Sequence, residues 1–356
     1  MSNIETIIQQ KKDIDGENRR RLILLIPRFK RDCLDDSCEF VDITYLPGYF
    51  TTYVFKVIFK RQEEVLNYYL KLAWIPESGN TRFVERINFE FEKTEEAYNL
   101  FEHNDVLKTV KPMRLYRQEG AFFMQEMIGR RQDTLLISAM RKFPMKNNEA
   151  LLKSFYLTGQ WLKSYQELNI HPEKARFSIE EIEGKVQYQI GRINEFSKMA
   201  LNSQQLSMIE SKTRSIIEQF SEDDFKVVAK HNDFAPWNVL KDEEGITVFD
   251  FADSGFDLGC YDYFNFINAL NSFNRRIFKR KSLIEAAKEN FSQGYLEAGS
   301  PDKMIKQYFE LFFTVEKIRM LVHSIARCSG IAGNIRKQVY KQRLRETMRV
   351  LKKLIR

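Results

Sequence analysis

Two polar clusters on either side of an apolar hairpin constrain this chain more than any other feature. The run Ala229-Lys230-His231-Asn232-Asp233-Phe234-Ala235-Pro236-Trp237-Asn238-Val239-Leu240 is followed by Gly245-Ile246-Thr247-Val248-Phe249-Asp250-Phe251-Ala252. The apolar and β-branched residues on both sides of 241–245 predict a short hairpin, which brings Asn238 at its entry and Asp250 at its exit to one edge of a sheet. Oxygen donors gathered in that way suit a hard divalent cation held against a triphosphate, and the additional carboxylate of Asp233 suits the orientation and deprotonation of an attacking hydroxyl. With each residue type at roughly one position in twenty, chance places Asp and Asn at these offsets after any of the four histidines with a probability on the order of one per cent. The alternative is a polar turn capped by Asp233 and Asn238, with Asp250 ending a strand.

The rest of the chain organises around that segment. From Glu39 to about Lys60 the sequence alternates and is rich in β-branched and aromatic residues, broken at Pro47-Gly48, which predicts a hairpin. Tyr68 to Trp74 is a further strand, 84–102 is helical, and Met113–Tyr116 with Ala121–Met127 form a strand-turn-strand, giving five strands with one inserted helix. The run Leu22–Pro27 is too short to span a bilayer and reads as a buried strand or helix turn. After Gly129 the spacing is helical, with few Gly or Pro residues. The fold class is therefore α+β, with a small antiparallel sheet lobe over 1–128 and a larger, mainly helical lobe over 129–356, joined at a tight hinge near Ile128-Gly129.

The pattern H-x-D-x-x-x-x-N, with a further aspartate twelve residues after the asparagine, resembles the catalytic and metal-binding loops of the aminoglycoside phosphotransferase and choline kinase superfamily, relatives of the protein kinases. The resemblance implies a two-lobed protein-kinase-like fold and an ATP- and magnesium-dependent phosphotransferase. In it, Asp233 would be the catalytic carboxylate, Asn238 and Asp250 would hold Mg2+, and His231 would brace the loop rather than act as a base. Downstream, Gly255-Phe256-Asp257-Leu258-Gly259-Cys260-Tyr261-Asp262 is similar to the family's G-D-P-x-x-D-L-A segment, with Asp257 and Asp262 in its acidic positions and Leu258 in place of the proline. Asp262 would either tie the catalytic loop to the following helix or simply cap that helix.

On the nucleotide side, such a kinase needs a cation on a central strand, held by a carboxylate from the inserted helix. Lys71 interrupts an otherwise apolar strand and takes that role, the alternative being a lysine on an edge strand facing water. Among the acids Glu90, Glu92, Glu95 and Glu96, Glu92 is the chosen partner, because it shares a helix face with Glu96 and Leu100, with Glu96 as the second choice. The phosphate-covering turn would carry Gly48, Thr51 and Thr52, a single glycine with hydroxyl side chains beside backbone N–H groups. The adenine would meet the backbone of the linker that includes Glu126 and Ile128.

Charge and composition narrow the partners. A net charge of +7 argues against polycationic antibiotics as acceptors, which leaves another small-molecule or glycan hydroxyl. From Ile331 to the end there are nine Lys or Arg and one acid, Glu346, on a helix that either docks on the helical lobe or lies on an anionic membrane. The four cysteines form no CxxC pair and the first twenty residues are polar, so the expectation is a cytoplasmic protein without structural zinc, peripheral to the inner membrane face if the membrane reading holds. No nucleic-acid partner is expected. Two other classes stand beside the small-molecule kinase: a catalytically silent nucleotide-binding assembly module, hinted at by the single Gly48 and by Asn232 where relatives often have glycine, and a protein kinase. The short path from Asp250 to Asp257 leaves little room for the activation segment a protein kinase needs.

Overall fold

A computed structural model describes residues 3–47, 52–75, 81–141, 148–168, 176–196, 201–273, 281–296 and 302–356. Helices α1 (Asn3–Gln10) and α2 (Gly16–Cys33) precede strands β1 (Cys38–Leu46), β2 (Thr52–Arg61) and β3 (Glu64–Ala73). Helix α3 (Arg82–Phe101) leads to β4 (Leu107–Thr109), β5 (Pro112–Tyr116), β6 (Ala121–Gln125) and β7 (Arg130–Arg131). Four helices follow: α4 (Gln132–Arg141), α5 (Glu149–Leu168), α6 (Ile179–Phe196) and α7 (Ser203–Ile217). Then come β8 (Val227–Lys230), β9 (Val239–Lys241), β10 (Ile246–Val248) and β11 (Gly255–Leu258). The chain ends with α8 (Tyr261–Phe273), α9 (Lys281–Leu296), α10 (Lys303–Arg327) and α11 (Gly330–Leu354).

These elements form two compact units, Met1–Trp161 with Ala235–Ser254, and Leu162–Phe234 with Gly255–Arg356. The first runs past residue 128 and takes in the β9–β10 hairpin, so the sheet-rich body is discontinuous in sequence.

Its main sheet is antiparallel with the order β1-β2-β3-β6-β5. Side chains alternate across a strand, and β3 uses both faces. Leu70 and Leu72 pack into a core with Leu22, Leu25, Ile26 and Phe29 of α2. Tyr69 and Ala73 join Ile87 and Phe91 of α3. The segment Leu22–Pro27 is thus not a strand but the middle of an 18-residue helix that keeps Pro27 inside it. A proline there costs a backbone hydrogen bond. The burial of Leu22, Leu25, Ile26 and Phe29 offsets that loss, with the Phe29 ring stacked 3.9 Å from that of Phe123. Arg21 closes the end of β3 by donating to the carbonyls of Ala73 and Glu119, both at 2.6 Å.

A second sheet in the same unit has the order β4-β10-β9-β7 and fastens the hairpin. Strand β10 runs parallel to β4 and antiparallel to β9, with Val248 opposite Val239. This joint depends on two glycines. A Cβ on Gly245 would lie 2.0 Å from the Val106 carbonyl oxygen, the same oxygen that accepts the Ile246 N–H at 2.9 Å. Gly129 has φ +126° and a Cβ there would sit 2.6 Å from the Lys241 carbonyl, so any other residue pushes β7 off β9.

The second unit is mainly helical. Helix α10 packs along α6, α7, α8 and α11, and the Tyr308 hydroxyl donates to the Ile182 carbonyl at 3.2 Å. Its aromatic core includes Tyr261, Tyr308, Phe309 and Phe312, beside the two-stranded ladder of β8 and β11. The architecture is the α+β arrangement expected from the pattern of strands and helices. Among the described residues no helix is long and apolar enough to cross a membrane.

Candidate active site

In the first unit the decisive group is Lys71. It lies opposite Val54 on β2 and Phe122 on β6, so its strand is central and not an edge. Period-two alternation places it on the same face as Tyr69 and Ala73, toward α3. There its ammonium donates to Glu90 and, at 2.9 Å, to Oδ1 of Asp250. Burial alone would depress this lysine. The charges of Asp250 and Glu90 outweigh that and hold its pKa above the usual range, so the ammonium stays protonated. Burial pushes Glu90 in the opposite sense for an acid, upward, against the pull of Lys71.

The choice of Glu92 as the lysine's partner is corrected by this geometry. Glu92 is half-buried and pairs with Arg117 at 2.7 Å. The buried stripe of α3 is Ile87, Glu90, Phe91, Thr94, Ala97 and Phe101. Glu90 lies three residues after Ile87 and four before Thr94, inside the stripe, whereas Glu92 is two positions off it and rotates away from the sheet. That spacing was a signal available in the sequence.

Asn238 and Asp250 stand where the hairpin puts them, just before β9 and just after β10. The Phe249 N–H donates to the Asn238 carbonyl at 3.2 Å, and Asn238 is buried. Asp250 has φ +73°, a left-handed conformation that costs free energy for any residue with a Cβ and that Asp tolerates better than most. With Phe251 fully buried behind it, the backbone twist presents the Asp250 carboxylate to Lys71. Two carboxylates share one ammonium here, an excess of negative charge, with Asn238 at the other end of the same short hairpin. That donor set is chemically suited to a hard divalent cation completed by phosphate oxygens.

In the second unit, the loop His231-Asn232-Asp233 is held from below by α8. The fully buried Asp262 accepts the N–H of His231 at 2.6 Å through Oδ2 and that of Asn232 at 2.9 Å through Oδ1. The buried His231 ring packs edge-on to Phe234. Asn232 has φ +70° and its carbonyl accepts from Asn265 Nδ2 at 3.1 Å. The position demands a left-handed residue, and asparagine meets the demand that a glycine would meet. Asp257, also buried, accepts Lys185 at 2.6 Å and Lys230 at 2.8 Å. Burial opposes its ionisation, but the two ammonium groups prevail and hold its pKa below the ordinary value. Neither lysine stood out in the sequence, although Lys230 is the one charge ending the apolar strand β8.

Asp262 predicts a pH effect. Desolvation pushes its pKa up to about 7, against the two N–H donors and Lys230, which favour the charged form. Between about pH 4 and pH 7 the folded protein therefore holds a proton that the unfolded chain has released, and this residue's contribution to stability falls as pH rises. Compared with Asp262→Asn in urea melts, the advantage of the wild type should be largest near about pH 4 and shrink toward about pH 7. An advantage that is constant across this window would contradict the assignment.

The remaining expected positions divide. Gly48 and Thr51 lie outside the described residues. Thr52 opens β2 opposite Ala73. In the linker, Glu126 is tied to the sheet: its carboxylate accepts Lys56 at 2.6 Å and Asn67 at 2.7 Å, and its N–H donates to the Asn67 carbonyl at 3.0 Å. Ile128 is 78% exposed.

No family model and no curated protein sequence matches this chain. Solved structures do. A Plasmodium vivax ethanolamine kinase aligns over 97% of both chains with a TM-score of 0.55 and 15% identity. Spectinomycin phosphotransferase, in complex with ADP and spectinomycin, covers 93% of this chain and 98% of its own with a TM-score of 0.53 and 14% identity. The GDP complex of an aminoglycoside 2'-phosphotransferase covers 94% and 97% with a TM-score of 0.54 and 12% identity. This chain therefore has the protein-kinase-like fold shared by aminoglycoside phosphotransferases and choline or ethanolamine kinases.

Proposed function

We propose that this protein is an ATP- and magnesium-dependent phosphotransferase that transfers the γ-phosphate to a hydroxyl of a small molecule or glycan. The observation that carries the reading is the buried Lys71 ammonium shared by Glu90 of the inserted helix and Asp250 at the hairpin exit. A fold needs no such arrangement for stability, since burying an ion cluster is on balance costly. A triphosphate needs it.

In this reading Lys71, oriented by Glu90, neutralises the α- and β-phosphates. Asn238 and Asp250 would hold Mg2+, which would supply charge neutralisation to the phosphates. Thr52, at the start of β2, would lie on the phosphates, and the 126–128 linker would meet the base. Asp233 orients the acceptor hydroxyl and takes its proton as the new oxygen–phosphorus bond forms and the β–γ bridging bond breaks, releasing ADP. Asp233 belongs to this set through its motif spacing from Asn238, five residues on, and through the bracing of its loop by Asp262. The chain's net charge of +7 argues against a polycationic acceptor. The place of action is the cytoplasm, where ATP and magnesium are abundant.

The left-handed Asn232 weakens the case for a silent module, since it does the work of the glycine it replaces. The experiment that tests the reading is thermal unfolding with ATP and with MgCl2, separately and together, followed by a screen of sugars, amino alcohols and nucleosides for stimulated ADP release. A stabilisation that requires both components, with at least one acceptor raising ADP release, is expected. ATP binding without stimulation by any hydroxyl compound would point to the silent module, and no ATP binding would end the proposal.

A further inference from the structure

Helix α11 packs along α10 by one face only: Thr347, Leu351 and, just past its end, Ile355 are buried. The opposite side is not polar throughout. Ile335, Val339 and Val350 are 68%, 46% and 50% exposed. At 100° per residue they fall within an arc of about 60°. Arg336 and Arg343 flank that arc on one side and Arg345 and Arg349 on the other, all exposed. Glu346, the helix's one acid, lies within the arc, against nine Lys or Arg from 331 to 356. No ion pair among the described residues engages any of those nine.

Basic side chains spent on structure would have carboxylate partners, and this outward face carries three exposed aliphatics between arginines, interrupted by the exposed Glu346 and Lys353. An apolar stripe bordered by cations is the arrangement that a helix needs to lie in a lipid headgroup layer, aliphatics inserted and guanidinium groups at the phosphates. We propose that the outward face of α11 docks the protein on an anionic membrane surface. The surface is independent of the phosphotransferase reading and stands or falls separately from it.

The test uses the full chain and flotation with vesicles containing about 30 mol% phosphatidylserine in phosphatidylcholine, against phosphatidylcholine alone. Binding is expected only to the anionic vesicles, falling sharply as NaCl rises from about 50 to about 500 mM because screening shortens the reach of surface charge. Arg343→Gln with Arg345→Gln and Arg349→Gln should weaken vesicle binding by about 30-fold or more. Ile335→Ser with Val339→Ser should also weaken it, and both variants should keep the wild-type melting temperature, since the substituted side chains are exposed. Binding that ignores lipid charge, or survives the arginine changes, overturns the proposal. So does equal binding of a short RNA duplex that is indifferent to Ile335 and Val339, which would make the face a general polyanion site.

Discussion

Asp250→Asn should abolish magnesium-dependent stabilisation by ATP and lower acceptor-stimulated ADP release by about 10³-fold or more, because in the proposed reaction it removes a metal ligand and, in the structure, one of the two charges on Lys71. The substitution is chosen for its backbone: asparagine tolerates the left-handed φ of +73° as well as aspartate does, so the loss can be assigned to charge rather than to strain. Lys71 keeps Glu90, leaving a neutral buried pair, and the nucleotide-free variant should therefore melt close to the wild type. Near-normal ATP turnover with Asn at 250 would remove Asp250 from the chemistry. A variant that melts far below the wild type would show that Asp250 holds the fold together and not a metal.

Asp233→Asn should separate binding from chemistry. In the proposed reaction the Asp233 side chain orients and deprotonates the acceptor, a contribution of about 10²–10⁴-fold, while the Lys71 cluster proposed to take the phosphates is untouched. Thermal stabilisation by ATP and magnesium should persist, and ADP release should drop by that factor. The two variants together make a pattern: loss of both signals at 250, loss of turnover alone at 233. If Asp233→Asn retained full turnover, the motif would be a structural turn, and the base would have to be sought elsewhere.

How much of this was legible beforehand differs from residue to residue. The hairpin 239–248 and the placement of Asn238 and Asp250 at one end of it followed from local alternation, because strand pairing over so few residues leaves one register. Lys71 was legible as a charge too costly to leave unpaired in an apolar strand. Its partner was harder. Four acids lie on the helix, and the face carrying Glu92, Glu96 and Leu100 looked plausible until the contact of α3 with the sheet selected the stripe that contains Glu90. Leu22–Pro27 was left between a strand and a helix turn because a six-residue apolar run satisfies both templates, and the full length of α2 was not legible. Its true length depends on Phe29 reaching Phe123, a partner nearly a hundred residues away.

What the sequence determined by itself was the chemistry on offer and its local geometry: oxygen donors at 233, 238 and 250, a cation at 71 within an apolar strand, and a basic final helix. These are properties of residue type and of spacing within a few turns or one hairpin. Only the tertiary structure decided that Glu90 and Asp250 share the Lys71 ammonium, that Asp262 spends both its oxygens on the backbone of the 231–232 loop, and which face of α11 is left outward. Those outcomes depend on burial, which belongs to the packed molecule, because a side chain's exposure is set by elements far from it along the chain.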